Sequence, residues 1–208
     1  MTPKGHSPVD LDPAAPATSR RGLIGALGAV GHASAAALSI ARPAAAAPAS
    51  PTEGDKELLF QAMRLELTAA ALYDVALDAG LTDVAAELAT VFAANHRAYA
   101  DEIAGASGFS ADTRNEEVFE QLESAFDTSD DEAFAEIANT LENTAAATHT
   151  SLLPDYESVN ARKITASIIV VEARMATVLS DFGGLASNLE ELFEPEAEPL
   201  ELTGEVAS

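Results

Sequence analysis

Leu65-Glu66-Leu67-Thr68-Ala69-Ala70-Ala71-Leu72-Tyr73 returns 76 positions later as Leu141-Glu142-Asn143-Thr144-Ala145-Ala146-Ala147-Thr148-His149. Leu, Glu, Thr and three Ala superpose, and Leu77 falls on Leu153. An internal repeat bears on architecture before any other feature, because each copy is one structural unit that buries its apolar face against the next. Both copies have the period of an amphipathic helix, with one carboxylate on the apolar side. Glu66 lies at helical spacing from Leu59, Ala62, Ala69 and Tyr73, and Glu142 from Ala138, Ala145, His149 and Leu153. A carboxylate on a core-facing stripe is rare unless it is paired or bound to a metal. Two of them at equivalent points of a repeat imply a shared site.

The 208-residue chain is long enough for one domain with a core and tails. It has no cysteine, which excludes disulfides, thiolate metal sites and cysteine nucleophiles. With 34 acidic and 11 basic side chains the formal net charge is −23, and no basic patch is available for nucleic acid. The acid excess suits a soluble protein in high salt or simply an anionic surface. The abundant alanine favours helix.

Residues 1–49 read as an export signal. Ser19-Arg20-Arg21-Gly22-Leu23-Ile24-Gly25 resembles the twin-arginine signal, and the apolar run from Gly22 to Ile40 is only mildly hydrophobic. Arg42-Pro43-Ala44-Ala45-Ala46-Ala47-Pro48-Ala49 then offers small-x-small cleavage sites, which favour cleavage over retention as an anchor. The expected location is periplasmic, cell-envelope or extracellular, with no membrane span in the mature chain. Residues 50–189 form the expected bundle, and 190–208 an acidic tail with Pro195 and Pro199 that is expected to be disordered.

Within the bundle, the pattern predicts a first helix from Asp55 to Ala79, stopped by Gly80, and a second from Thr82 as N-cap to Ala104, stopped by Gly105. A loop from Gly108 to Arg114 leads to a short helix from Asn115 to Phe126. Ser129-Asp130-Asp131-Glu132 has the form of a capping box for the third long helix, which stops before Pro154. Ser158 caps the fourth, which ends near Phe182 before Gly183-Gly184. No segment reads as a strand; the β-branched run Ile168–Val171 continues a helical pattern. The fold expected is all-α: four long helices, with a crossover carrying a short helix between the second and third.

The second helix of each half extends the repeat at a shift of 79, which sets Val91-Phe92-Ala93-Ala94-Asn95-His96 on Val170-Val171-Glu172-Ala173-Arg174-Met175. His96 shares a face with Phe92, Tyr99 and Ile103, and Glu172 with Ile168, Met175 and Leu179. Each of the four helices thus offers one inward candidate: Glu66, His96, Glu142 and Glu172. Arg64, Arg97, Arg162 and Arg174 lie off the inward stripes, so a metal is expected to balance three buried carboxylates.

From Asp55 to Phe182 the chain resembles the ferritin-like family, especially the exported ferritin-like domains of bacteria. In that family one helix of each pair gives a Glu and the other a Glu-x-x-His, which together hold two iron or manganese ions. The resemblance assigns Glu66 and Glu142 to the single glutamates, Glu172 to the glutamate of the fourth-helix motif and His96 to the histidine of the second-helix motif. Ala93 and Met175 stand where a glutamate and a histidine belong. Methionine is a poor ligand for hard divalent ions, so the resemblance implies a reduced site: one iron or manganese held by Glu66, His96 and Glu172, with room for water. His149, where the first copy has Tyr73, reads as a partly exposed or capped core position, with an auxiliary ligand or proton relay near the site as its sharper alternative. No phosphate loop, nucleophile elbow or dinucleotide fingerprint is present. The sequence therefore describes an exported ferritin-like protein for metal handling or redox protection. Its alternative is a non-catalytic bundle that lost its metal and serves as an envelope structural or interaction module. No catalytic residue, partner or oligomeric state is assigned.

Overall fold

The computed structural model describes residues 48–185 and 197–202. The expected leader lies outside them except for Pro48 and Ala49, as does most of the expected tail. Five helices follow in order: α1 Glu53–Asp78, α2 Asp83–Ser107, α3 Glu116–Phe126, α4 Asp131–Leu152 and α5 Val159–Phe182. No strand occurs among the described residues. The long helices α1, α2, α4 and α5 form two hairpins, and α3 sits on the crossover between them. None of the described helices is long and apolar enough to cross a membrane.

Local chemistry sets the ends. Thr52 and Asp55 form a reciprocal capping box on α1, while Asn115, Asp130 and Ser158 each accept a backbone N–H at the start of α3, α4 and α5. Such caps contribute about 1 kcal/mol each. At α4 the cap is Asp130, not the Ser129 that begins the box pattern. Asp55 also accepts from Glu157 N at 2.6 Å and Ser158 N at 3.0 Å, tying the start of α1 to the start of α5. Burial pushes its carboxyl up, but these backbone donors outweigh that and its pKa is lowered. Gly105 does not stop α2. The helix runs on to Ser107, and Gly108, at φ +84°, is the left-handed residue that ends it.

The core is two apolar clusters. One gathers Leu72, Tyr73, Phe92, Phe126, Phe134, Met175 and Leu179. The other gathers Leu59, Met63, Ala100, Ile103, Tyr156 and Ile168. Along α1, Glu66 falls between Met63 of the second and Ala69 of the first. Along α5, Glu172 falls between Ile168 of the second and Met175 of the first. A polar layer thus crosses the bundle between two greasy ends. In the described part of the expected tail, Leu200 N donates to Thr148 Oγ1 at 2.9 Å.

Candidate metal centre

The structure settles the register of the repeat. Asp83 opens α2 and Val159 opens α5, 76 positions apart, the same shift that relates α1 to α4. Ala85, Ala89, Phe92, His96, Ala100 and Ile103 are buried on α2, and their counterparts at that shift, Ala161, Thr165, Ile168, Glu172, Ala176 and Leu179, are buried on α5. The expected shift of 79 for this pair is therefore wrong. The physical reason is simple: three residues are close to one helical turn, so either register keeps an apolar stripe inward and periodicity cannot choose. In the observed register His96 is the counterpart of Glu172, and Tyr99 of Met175. Ala93 is not the counterpart of Glu172; it packs with Met175 in the apolar cluster around Tyr73.

Glu66, His96, Glu142 and Glu172 do come together, and His149 joins them. All five are 0–1 % exposed. His96 bridges the two single glutamates, with Nδ1 2.8 Å from Glu66 Oε2 and Nε2 3.1 Å from Glu142 Oε1. His149 Nε2 lies 2.6 Å from Glu66 Oε1. It also lies 3.3 Å from Glu172 Oε1, an ion-pair distance without hydrogen-bond alignment. Tyr73 donates its hydroxyl to Glu142 Oε1, and its ring stacks on His96 with centroids 5.8 Å apart. Both oxygens of Glu172, Glu142 Oε2 and His149 Nδ1 are buried without a hydrogen-bond partner.

These partners decide the charges. Burial pushes the Glu66 carboxyl up, but hydrogen bonds and positive charge from His149 and His96 outweigh it and hold its pKa at about 2. Burial lifts Glu172 to about 7; His149 offsets this in part, and the charges of Glu66 and Glu142 add to it. Burial opposes charging of His149, yet Glu172 and Glu66 raise it to about 10. His96 is raised well above its ordinary value by Glu142 and Glu66, again against burial. Burial and Glu142 push the Tyr73 phenol up. In the absence of metal, the neighbouring carboxylates thus favour the charged form of both histidines. No arginine lies on the inward stripes, but the two histidines meet the carboxylates at ion-pair distance, so the expectation that no side-chain cation balances them does not hold.

His149 is the member that sequence reasoning left out of the site. The signal was there: it lies seven residues after Glu142 on the same stripe, and it is the repeat counterpart of Tyr73, itself seven after Glu66. Its central place follows from the pairing, which turns each half's second position toward the other half's glutamate.

The group fits a metal in its donor chemistry. Glu66, His96 and Glu172 each offer a ligand atom within 4.8 Å of the others, all buried. Carboxylate and imidazole donors suit divalent iron, manganese or zinc. Two surface cavities, of about 470 Å³ beside Val75 and Asp127 and about 350 Å³ beside Asp74 and Arg114, have none of the five residues in their walls. Against known proteins, the family model of the ferritin-like domain matches residues 54–184, and the chain belongs to that family. No curated protein and no solved structure matches it.

Proposed function

We propose that this protein is an exported ferritin-like bundle that binds a single iron or manganese ion and serves metal handling or redox protection. One observation carries this reading: Glu66, His96 and Glu172, all buried, each offer a ligand atom within 4.8 Å of the others, and neither oxygen of Glu172 has a hydrogen-bond donor aligned on it. A buried carboxyl met only by one imidazole at 3.3 Å still costs stability, and a cation between these groups reduces that cost. Glu66, His96 and Glu172 would hold the ion, with His149 within reach through Glu66 and Glu172. The ion would supply Lewis-acid or one-electron chemistry; the chain supplies a closed, buried setting between two apolar clusters. Calorimetric titration of manganous ion into the wild type and Glu172→Ala tests it. The wild type is expected to take up metal and the variant none; equal, negligible heats would leave the layer a relic. Export rests on the Arg20-Arg21 pattern, and replacing both by Lys is expected to retain the protein inside the cell.

A second reading is favoured by the ion pairs. Both nitrogens of His96 and Nε2 of His149 already meet carboxylates, so the layer closes on itself with two imidazolium ions in place of metal. The bundle would then be a structural or interaction module of the envelope. The same titration separates the two.

A further inference from the structure

The side of the bundle formed by α2 and α5 has an outer surface unlike the rest. Every exposed large apolar side chain among the described residues lies on these two helices: Val84 and Val91 on α2, and Val159, Val170 and Val178 on α5, each between 40 % and 55 % exposed. Single exposed valines are ordinary, but five confined to two of five helices mark a surface for contact. α2 packs against α5. Val84 and Val91 lie on the side of α2 away from Arg97, which meets Asp74 of α1. Val170 and Val178 lie on the side of α5 away from Ala176, whose carbonyl accepts from Asn139 of α4. Both sets of valines thus turn toward the side where α2 and α5 are neighbours. The other two long helices carry other parts of the chain. The crossover is tied to α1, where Asn115 N donates to Thr68 Oγ1 at 2.9 Å. On α4, Thr148 receives Leu200 N two and a half turns from Asn139, so this part of the tail lies on the side of α4 away from α5.

We propose that the α2–α5 face docks a second copy of this chain as a two-fold pair, with α2 of each copy laid on α5 of the other. Charge selects this partner. On α5, Arg162, Lys163 and Arg174 outnumber Glu172 and Asp181, and it is the only described helix whose Lys, Arg, Asp and Glu sum to a positive charge. On α2, Asp83, Glu87, Asp101 and Glu102 stand against Arg97 alone. Neither Lys163 nor Arg174 has an ion-pair partner among the described residues. Laying α5 on α5, or α2 on α2, sets like charges together. Laying α2 on α5 sets opposite charges together, and a two-fold pair does so twice. Between the charges the two faces offer each other valine and exposed alanine, Ala94 and Ala98 on α2 and Ala166 and Ala173 on α5, which let helices approach closely. Two neighbouring helices of 25 and 24 residues, roughly 36 Å long and about 9 Å apart, present a face on the order of 700 Å², near the ~800 Å² that each partner buries in a stable interface. The buried layer of glutamates and histidines, 0–1 % exposed, takes no part in this contact.

Sedimentation equilibrium of the full chain, with no metal added, tests the pairing, and circular dichroism checks that each variant keeps its helices. The wild type is expected at twice its 21.5 kDa at micromolar concentration. Val170→Glu, on the exposed stripe of α5, is expected to weaken association about tenfold or more with the helical spectrum unchanged. Lys163→Glu with Arg174→Glu makes both faces acidic, and Glu87→Lys with Asp101→Lys makes α2 basic like α5. Each pair of changes is expected to weaken association about tenfold or more, and the chain carrying all four, with its signs exchanged, is expected to dimerise again. A wild type that stays monomeric up to its highest soluble concentration overturns the inference. So does a Val170→Glu dimer as tight as the wild type, or a folded chain with all four changes that stays monomeric. A wild-type monomer that dimerises once residues 186–208 are removed assigns the face to the chain's own acidic end and overturns it as well.

Discussion

Glu66 and Glu172 sit in the same layer, equally hidden from solvent, and behave in opposite ways. Glu66 has a histidine on each oxygen, His149 on Oε1 and His96 on Oε2, and its pKa is held near 2. Glu172 has one imidazole at ion-pair distance and two like-charged neighbours, and its pKa is lifted to about 7. Burial is common to both and pushes both up. The difference is the number of aligned donors, and it teaches that depth sets the size of the penalty while partners decide its sign.

The largest expected effect breaks the Glu66 side. Glu66→Gln removes the carboxylate shared by the two histidines and leaves His96 with Glu142 alone and His149 with Glu172 at 3.3 Å. We expect a loss on the order of 3–5 kcal/mol in denaturant unfolding of the metal-free protein. The sign with pH follows from the lowered pKa. Glu66 contributes stability that is present above its unfolded value of about 4.5 and lost as pH falls through about 2. The cost of Glu66→Gln is therefore full at pH 6 and shrinks as pH falls from about 4.5 through about 2. Glu172→Gln is expected to act the other way. A raised pKa means that the native carboxyl holds its proton, and stability is lost as pH rises from 4.5 through about 7. The amide mimics the protonated form, so metal-free Glu172→Gln should match the wild type at pH 4.5 and exceed it at pH 8 by roughly 1–3 kcal/mol. Urea melts of both variants at pH 4.5, 6 and 8 check the pair. Parallel behaviour of the two would erase the contrast between the two corners.

Much of this was legible in the sequence, and the failures share a cause. The four helices, the crossover helix and the inward glutamates follow from period, caps and a repeat whose glutamates fall at one shift. The register of α2 on α5 does not, because these helices carry no identical motif and the error of three residues nearly closes a turn. That slip paired His96 with Met175 instead of Glu172. His149 was placed on the right stripe but read as core, since a stripe says which way a residue points and not which helix it meets. The missing cation came from the same gap: pairings across the bundle are not a property of one helix.

The smallest expected effect tests whether the 76-residue repeat extends to the helix ends. Gly108 closes α2 at φ +84°, and Gly184, its counterpart, follows α5 at φ +60°. A Cβ added at either meets nothing within 4 Å, so any cost of substitution is backbone strain alone. Gly108→Ala and Gly184→Ala are each expected to cost about 1 kcal/mol. Gly105, which the sequence pattern nominates as the stop, lies inside α2 with open space around its Cα. There alanine relieves the backbone entropy of an exposed helical glycine, and Gly105→Ala is expected to gain roughly 0.5–1 kcal/mol. Thermal melts of the three variants at one pH decide it. Two losses of similar size with a gain at Gly105 make the halves equal at their ends and unequal only at their centre. A gain at Gly108 would move the end of α2 back to where the sequence alone had put it, and the match with Gly184 would be coincidence.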